Sequence, residues 1–455
     1  MSHLIGYNLG ALHQASQELN RKIDSSYYMS APTVDQNPII PKPSTFDDLD
    51  DLHRNYLPTP AQCAVHLELI EVFHALRIRV LDSKSLDKAF GLGTATKKVY
   101  RRRYVKALKK WVNEEITLRD LEWERNQDKK WTFYLGEAVQ RFRVWAEEYD
   151  ASLADDGQGE ILMTDHSSLP PVDILMVWHA FLLNPADFLE YCQSFSLKHL
   201  PRVNFPWKLI HEAISSQGPI RDTWKYYSNN WKGKEGDGVY WDVLLDSIIK
   251  RGQTTTLSIK KVFRPAIVGK LVDNVERQRV FVDKMNEHLW IRSPALQGTM
   301  QRAVERYENY LELFKLYPGK MLVPTLDIDL VWHTSQLSPA AYKTCMEVRC
   351  GRFINHDDKI GKSKLAVGND ETQTLYRIRF GLEYSVCLCW ECQTITSAVE
   401  DSDKDDYLVE SRGDSFAEDL TRQVMADIEY YRAVESARRR NHVKLPIRDK
   451  HLQTA

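Results

Sequence analysis

The feature that most constrains the fold of this chain is a helical pattern that occurs twice. Residues 170–185 read PPVDILMVWHAFLLNP, and residues 323–339 read VPTLDIDLVWHTSQLSP. Their shared Asp, Val, Trp, His, Leu and Pro recur at a constant offset of 154 residues. Upstream, AVQRFRVWAEEY from Ala138 is similar to AVERYENYLELF from Ala303, at an offset of 165 residues. Two copies of a helix–loop–helix unit explain these matches better than two isolated motifs.

The duplication predicts a mainly α-helical domain built around these two units, with few short strands. Apolar residues elsewhere also recur at helical spacing, and almost no segment alternates with a period of two. The best strand-like segment is Arg251–Phe263, whereas Thr59 and Pro60 are typical of a helix start. The predicted parts are an N-terminal helix with a Pro-rich tether (1–58), a duplicated helical core (59–400), and an acidic loop with a C-terminal helix and a basic tail (401–455). Within the core we place copy one at 136–192, copy two at 301–346 and a Cys-containing helix at 372–399.

Composition and charge exclude several classes of protein. The chain is 43% hydrophobic and 27% charged, which is ordinary for a globular protein. Its net charge of −2 produces no global attraction to nucleic acid or acidic membranes, so such binding requires a local patch. The sequence contains neither an apolar run of about 18 residues nor the features of a signal peptide. Seven cysteines, an odd number, do not suggest a disulfide framework. We therefore expect a cytoplasmic protein that does not bind membranes.

A dense basic segment at residues 96–112 is a local patch that meets the requirement for binding nucleic acid. It reads TKKVYRRRYVKALKKWV, and we predict an amphipathic helix here. The simpler hypothesis is that its aromatic face is core and its basic face is solvated. The alternative is that its basic side chains bind RNA or tRNA while its tyrosines stack on bases. The candidate nucleic-acid residues are Lys97, Lys98, Arg101, Arg102, Arg103 and Lys106.

Each copy of the repeated pattern contains an aspartate and a histidine. The prolines before Asp173 and Asp327 place both carboxylates in the first helical turn, where they favourably meet the helix dipole. The histidines, His179 and His333, could simply be satisfied in the core. Alternatively, they line a shared cleft as catalytic groups with Asp327 and Asp329. Asp329 and His333 are four residues apart, which places them on one helix face as a partial metal site.

Two further groups contain residue types that bind metals. Cys389 and Cys392 are three residues apart in CLCWEC and form a candidate zinc half-site. Its remaining ligands would be Cys345, Cys350 or His356, and all three cysteines of CLCWEC could ligate only if the helix breaks there. The alternative is that these cysteines pack as small apolar residues. His356 lies in the polar loop INHDDKI, which is most simply a turn.

Three consecutive C-terminal blocks resemble one known family. VPTLDIDLVWHTSQLSPAAY, GRFINHDDKIGKSKL and EYSVCLCWECQTI are similar to the glycine-rich domain-containing protein-like family of plants and fungi. VDILMVWHAFLLNP resembles its first, weaker block, so the resemblance covers roughly residues 57–399 and suggests a fungal-type member without the glycine-rich region. The resemblance implies no settled activity. In the second block, the resemblance implies the sequence WHTHQLSP, in which a second histidine follows the first by two residues. This chain has Ser335 at that position, so a metal site that used both histidines would lack one ligand.

These observations lead to three functional hypotheses. We first expect an interaction or regulatory module with a protein partner, because the sequence contains no complete catalytic motif such as a Gly-rich phosphate loop, GxSxG or HExxH. The alternative is an enzyme with a His- and Asp-lined cleft, which a divalent metal such as zinc could assist, acting in fungal specialised metabolism. The third hypothesis is RNA or tRNA binding through residues 97–110.

Overall fold

The fold is mainly α-helical, as predicted. The structure is a computed structural model that describes residues 39–49, 56–153, 157, 159–165, 168–215, 243–254, 266–356, 361–404 and 414–439. In this part of the chain there are fourteen α-helices and one two-stranded antiparallel sheet. The helices before residue 200 are α1 (Pro60–Leu81), α2 (Lys84–Ala89), α3 (Leu121–Ser152), α4 (Val172–Leu182) and α5 (Pro185–Ser194). The next are α6 (Trp207–Ser215), α7 (Val243–Thr254), α8 (Ala266–His288), α9 (Leu296–Leu316) and α10 (Leu326–Gln336). The last are α11 (Pro339–Cys350), α12 (Lys362–Phe380), α13 (Trp390–Lys404) and α14 (Asp414–Arg439).

Helix α1 lies at the centre of the core. Thr59 caps its first turn by accepting a hydrogen bond from the backbone of Gln62, whose side chain accepts one from the Thr59 backbone. Pro60 occupies the first helical position, where its missing N–H has no cost, so the predicted helix start is confirmed. Most of the helix is buried, and it contacts α3, α6, α8, α9 and α10.

The two predicted helix–loop–helix segments both fold as three helices, α3 to α5 and α9 to α11. In the first, the Arg141 guanidinium lies 2.8 Å from the carboxylate of Asp173 at the start of α4. In the second, Arg306 lies 2.7 Å from Asp327 at the start of α10. Each pair therefore joins a long helix to the short apolar helix that follows it. The common origin of the two units stays a prediction.

The basic segment 96–112 is not a helix, so this prediction is wrong. It forms strand β1 (Thr96–Val105), a 3-10 turn (Lys106–Leu108) and the start of strand β2 (Lys110–Arg119). Tyr and Val, which have high strand propensity, flank the three arginines in VYRRRYV, and the strand is exposed along almost its whole length. Lys109 adopts a left-handed conformation with φ of 47° and completes the reversal.

The predicted Cys-containing helix at 372–399 is two helices. Helix α12 ends at Phe380, where Gly381 has φ of 67° and its N–H bonds to the carbonyl of Arg377. A glycine in this conformation is a common helix terminator. Residues 381–389 form a loop, and α13 begins at Trp390. The three clustered cysteines therefore lie at a helix break.

The remaining predictions fall partly outside the described residues. Residues 251–254 end helix α7, so the strand prediction for 251–263 is wrong there, and residues 255–263 lie outside the description. The predicted N-terminal helix, the acidic loop at 405–413 and the basic tail from 440 also lie outside it. Within the Pro-rich tether, residues 43–46 form a 3-10 helix and Ile40 is buried.

Among the described residues, no single helix has the length and apolar composition needed to cross a membrane. Helices α4 and α5 satisfy the length and composition only together, and they are bent by 110° at their junction.

Candidate metal centre

Three of the predicted metal ligands converge at one point. Asp329 and His333 lie one turn apart on α10, and His356 comes from the segment that follows α11. Nε2 of His333 lies 3.3 Å from Nε2 of His356 and 3.4 Å from Oδ1 of Asp329. Nε2 of His356 lies 3.8 Å from the same Oδ1. Two imidazoles and one carboxylate therefore direct one ligand atom each toward a common centre.

The separations suit metal coordination better than hydrogen bonding. Good N–H···O bonds have donor–acceptor distances of about 2.7–3.2 Å, and all three separations are longer. Two ligand atoms each about 2.1 Å from a tetrahedral ion would lie about 3.4 Å apart. The two shorter separations match this value, and the third exceeds it slightly.

A hydrogen-bond relay holds His356 beside α10. The indole N–H of Trp332 donates to the hydroxyl of Tyr342 at 3.0 Å, and this hydroxyl donates to the carbonyl of Ile354 at 2.6 Å. The rings of Trp332 and His356 are in edge contact, with their centroids 5.0 Å apart. The relay fixes the backbone two residues before His356, so its imidazole is positioned by the tertiary structure.

The electrostatic environment favours an ionised Asp329. Burial alone would raise the pKa of this carboxyl, but the neighbouring His333 and His356 more than compensate, with a smaller contribution from Lys284. The net result is a pKa below the usual range. Asp329 is therefore a carboxylate at neutral pH, which is the form that ligates metal ions.

The cluster lies in the wall of a cavity of about 440 Å³. Helix α8 and residues 320–326 form other parts of the wall. The ring of Phe281 packs against the ring of His333, with the ring centroids 4.4 Å apart. Three cationic side chains also line the cavity: Arg277, Lys284 and Lys320. An ion held by the cluster would have room for further ligands on the cavity side.

Comparisons with known proteins bear on the same region. A model of the glycine-rich domain-containing protein-like family matches residues 209–345, which include Asp329 and His333. Two proteins of Arabidopsis thaliana are also similar: glycine-rich domain-containing protein 1, 27% identical over 231 residues, and glycine-rich domain-containing protein 2, 25% identical over 224 residues.

Residues 209–345 are therefore similar to the glycine-rich domain-containing protein-like family. The two alignments cover 49% and 48% of this chain, which spans about a quarter of the length of each relative. No solved structure matches the chain. These matches support the predicted resemblance and bring no activity with them.

Ser335 is a position of interest, because the resemblance seen in the sequence implies a second histidine there. Ser335 is buried and lies two residues beyond His333, which is about 200° around the helix. Its side chain faces Tyr307 on α9, away from Asp329. A histidine at this position would point into the core, so Ser335 does not remove a ligand from the cluster.

His179 does not join His333 in a shared cleft, contrary to the enzyme hypothesis. Its Nε2 lies 2.8 Å from Nε2 of His66, a buried residue of α1. Nδ1 of His66 lies 2.9 Å from the hydroxyl of Thr334, which itself donates to the carbonyl of Leu330. His66 must then donate from Nδ1 and accept at Nε2 from His179. This is a neutral core network, in which burial lowers the pKa of His179 to about 3 and that of His66 well below its usual value.

Asp327 is held in the interior by hydrogen bonds. Its carboxylate is 2% exposed and accepts hydrogen bonds from Arg306 and from the hydroxyl of Thr325. Arg306 also donates to the carbonyl of Tyr384, which ties α9, α10 and the loop after α12 together. Asp173 has the same kind of partner in Arg141. Both aspartates therefore pair with an arginine of the preceding long helix, a contact that the sequence analysis did not predict.

The grouping of the cysteines also differs from the predicted zinc site. Cys345 and Cys350 are buried beside α9 and do not join Cys389 and Cys392 among the described metal-ligating groups. The third member of that group is Cys387, which the expected regular helix would have directed elsewhere.

Sequence analysis missed several residues that matter at these sites. His66 had no signal beyond its place in an apolar helix. Lys284 and Phe281 come from α8, which contains no recognisable motif. Arg141 and Arg306 could have been found, because they occupy equivalent positions in the two long repeat helices.

Proposed function

We propose that this protein binds a divalent transition-metal ion at Asp329, His333 and His356 and is an enzyme that acts on a small anionic molecule. One observation carries the proposal: two imidazole nitrogens and a carboxylate oxygen converge within 4.8 Å of one another at the wall of a large cavity. A set of two histidines and one carboxylate suits Zn²⁺, Fe²⁺ and related ions. It leaves positions open for water and substrate.

Such an ion would supply Lewis acidity or an activated water molecule. The protein's own contribution is to fix the ligands and to shape the cavity. Asp329 contributes one negative charge, whereas Arg277, Lys284 and Lys320 place three positive charges around the same space. Lys320 also pairs with Glu371 at 2.5 Å, so part of its charge is balanced. The net positive charge favours a ligand with a carboxylate or phosphate group.

The metal site is tested by titrating Mn²⁺ into metal-depleted full-length chain and measuring free Mn²⁺ by electron paramagnetic resonance. Mn²⁺ prefers oxygen and nitrogen ligands, so thiols contribute little to the signal. We expect one site per chain, and a loss of affinity of about 100-fold or more in His333→Ala and Asp329→Ala.

His74→Ala is the matched control. Its Nδ1 lies 3.4 Å from Oδ1 of Asp283, the same separation as in the His333–Asp329 pair, but outside the described metal-ligating groups. Binding of Mn²⁺ should be unchanged in this variant. Equal affinity in the wild type and His333→Ala would refute the site. Inorganic phosphate should perturb the bound Mn²⁺ spectrum, and Lys284→Gln should weaken that effect.

We also propose, as a second function, that the β1–β2 hairpin is a binding arm for single-stranded RNA. The strand register places Lys98, Tyr100, Arg102 and Tyr104 on one face, with Trp111 opposite Tyr104. Tyr100 is 66% exposed and Trp111 is 61% exposed. Exposed aromatic rings beside basic side chains can stack on bases while the cations meet phosphates. Internal pairs such as Lys98 with Glu115 and Arg103 with Glu114 reduce the available charge, so this proposal is the weaker one.

Fluorescence anisotropy with a single-stranded RNA oligonucleotide tests the arm. We expect affinity to fall steeply with salt, and Tyr100→Ala with Trp111→Ala to weaken binding by at least about 5-fold, because stacking contributes about 1–3 kcal/mol per base. Phe195→Ala removes an exposed aromatic side chain outside the hairpin and should have no effect. RNA binding that survives the double substitution would exclude the hairpin as the RNA-binding site. Binding of a protein instead of RNA would support the interaction-module hypothesis.

A further inference from the structure

We propose that Cys387, Cys389 and Cys392 form a second, independent metal site that binds a zinc ion as three thiolates. The cysteines share no residue with the Asp329 cluster, and their ligand chemistry is different. Soft thiolate ligands select Zn²⁺ over the harder ions that oxygen and nitrogen ligands accept.

The three sulfur atoms have the separations that zinc requires. All of them lie within 4.8 Å of one another, and Sγ of Cys387 is 3.4 Å from Sγ of Cys389. Sulfur atoms each about 2.3 Å from a tetrahedral zinc ion lie about 3.8 Å apart. The separation between the sulfurs of Cys387 and Cys389 is slightly shorter than this value. Small side-chain rotations would bring all three sulfurs to the ion.

The accessibility of these thiols separates them from the other cysteines. Cys63, Cys192, Cys345 and Cys350 are buried and pack as small apolar residues. By contrast, Cys387 is exposed, and Cys389 and Cys392 are partly exposed. Apolar packing therefore does not explain why these three side chains cluster.

The backbone of the cysteine loop is held by groups other than the cysteines. The indole N–H of Trp290 donates to the carbonyl of Leu388 at 2.9 Å, and the side-chain amide of Gln393 donates to the carbonyl of Cys387 at 2.8 Å. The indole N–H of Trp390 donates to the carbonyl of His288, also at 2.9 Å. The loop is therefore positioned by tertiary contacts and does not depend on a metal ion for its shape.

Without a metal ion, the contact with Cys392 and burial raise the pKa of Cys389, whereas the start of α13 would stabilise a metal-bound thiolate. Cys389 immediately precedes the helix, and its sulfur lies 3.5 Å from the backbone N–H of Cys392. Backbone N–H groups and the positive end of the helix dipole stabilise negative charge there. Arg302, which hydrogen-bonds to Gln393, adds a positive charge nearby.

The fourth coordination position would face solvent. Cys387 and Cys392 line a cavity of about 530 Å³, together with Thr299, Arg302 and Arg306. Three protein ligands with an open fourth position are the arrangement of reactive zinc sites, whereas structural sites have four protein ligands. We therefore place a water molecule or a small anionic or thiol ligand at the fourth position.

The test is a Co²⁺ titration of the reduced, metal-depleted full-length chain. Cobalt bound by thiolates produces an intense sulfur-to-metal charge-transfer absorption in the near ultraviolet, which the Asp329 cluster cannot produce. In His333→Ala, where the first metal site is removed, we expect this band to saturate at one ion per chain, and in the wild type it should disappear when Zn²⁺ is added. It should fall by at least half in Cys387→Ser and be lost in Cys389→Ser and Cys392→Ser.

Two controls make the outcome decisive. Cys350→Ser keeps a hydrogen-bond donor beside the carbonyl of Leu311 and removes a buried thiol, so the band should be unchanged. His333→Ala should also keep the band, which separates this proposal from the first metal site. Circular dichroism checks that each variant is folded. Absence of the band in wild-type chain whose three accessible thiols react with Ellman's reagent would overturn the proposal, and so would a band that persists in Cys389→Ser.

Discussion

Replacement of Arg306 by alanine is expected to lower the free energy of unfolding by about 3–5 kcal/mol. The guanidinium lies 2.7 Å from the carboxylate of Asp327, which is 2% exposed, and also donates to the carbonyl of Tyr384. Without Arg306, a buried negative charge would keep only the hydroxyl of Thr325 as a partner. Urea unfolding followed by circular dichroism measures the loss.

A surface ion pair provides the control for this substitution. The guanidinium of Arg379 lies 2.6 Å from Glu312, but both side chains are substantially exposed. Arg379→Ala should therefore cost less than about 1 kcal/mol. The double replacement Arg306→Met with Asp327→Leu should recover most of the stability, because an apolar pair leaves no buried charge. A loss in Arg306→Ala no larger than that in Arg379→Ala would show that the buried pair does not stabilise the fold.

Acidification is expected to destabilise the protein through His66 and His179. Burial lowers the pKa of His179 to about 3, with a smaller contribution from His333, and it lowers the pKa of His66 well below its usual value. An unfolded histidine titrates near pH 6.5, so the unfolded chain takes up protons that the folded chain cannot. Stability is therefore fully present above about pH 6.5 and falls as the pH decreases toward the folded pKa. His179 should contribute a loss of about 2 kcal/mol between pH 6.5 and pH 5, and His66 should add a loss in the same direction.

The contribution of this pair is isolated by comparing wild type with His179→Gln in the presence of a chelator. Glutamine can still donate a hydrogen bond to His66 but does not titrate. The free energy of unfolding, measured in urea from pH 8 to pH 5, should fall less steeply in the variant. Below pH 6, the slopes of the two proteins should differ by about 1.4 kcal/mol per pH unit. Above pH 7 the two curves should run parallel. Identical slopes below pH 6 would mean that His179 is protonated in the folded state.

The stability and metal predictions concern neighbouring parts of one helix. On α10, Thr334 accepts a hydrogen bond from His66 in the core, and the preceding residue, His333, directs its imidazole to the cavity. The two side chains leave the helix about 100° apart. One helix therefore joins the neutral core network to the candidate metal site, and substitutions at these two positions should have separable effects.

Helical periodicity explains the predictions that are confirmed. The capped start of α1 and the mainly helical fold follow from local spacing and capping rules. The placement of Asp329 and His333 on one face follows from their four-residue spacing, because an α-helix brings positions i and i+4 together. These relations require no knowledge of distant residues, so the amino-acid order is sufficient.

Where local signals conflict, the sequence was misleading. The basic segment has enough long side chains to suit a helix, yet it forms a hairpin in which Val and Tyr, residues with high strand propensity, flank the arginines. The cysteine segment looked continuous with a helix, although Gly381 ends α12 nine residues before α13 begins. In both cases a short local feature outweighed the average composition of the segment.

The amino-acid sequence by itself determined the helical class and the two Asp- and His-containing helices. It also paired two of the three ligands of each candidate metal site by their spacing. Only the tertiary structure decided that His356 completes the Asp329 cluster, that Cys387 completes the cysteine cluster, and that His179 turns inward to His66. The physical reason is the range of the interactions. Spacing along one helix specifies neighbours within about one turn, whereas ligands from separate segments meet only after the core has packed and its hydrogen bonds have positioned the loops.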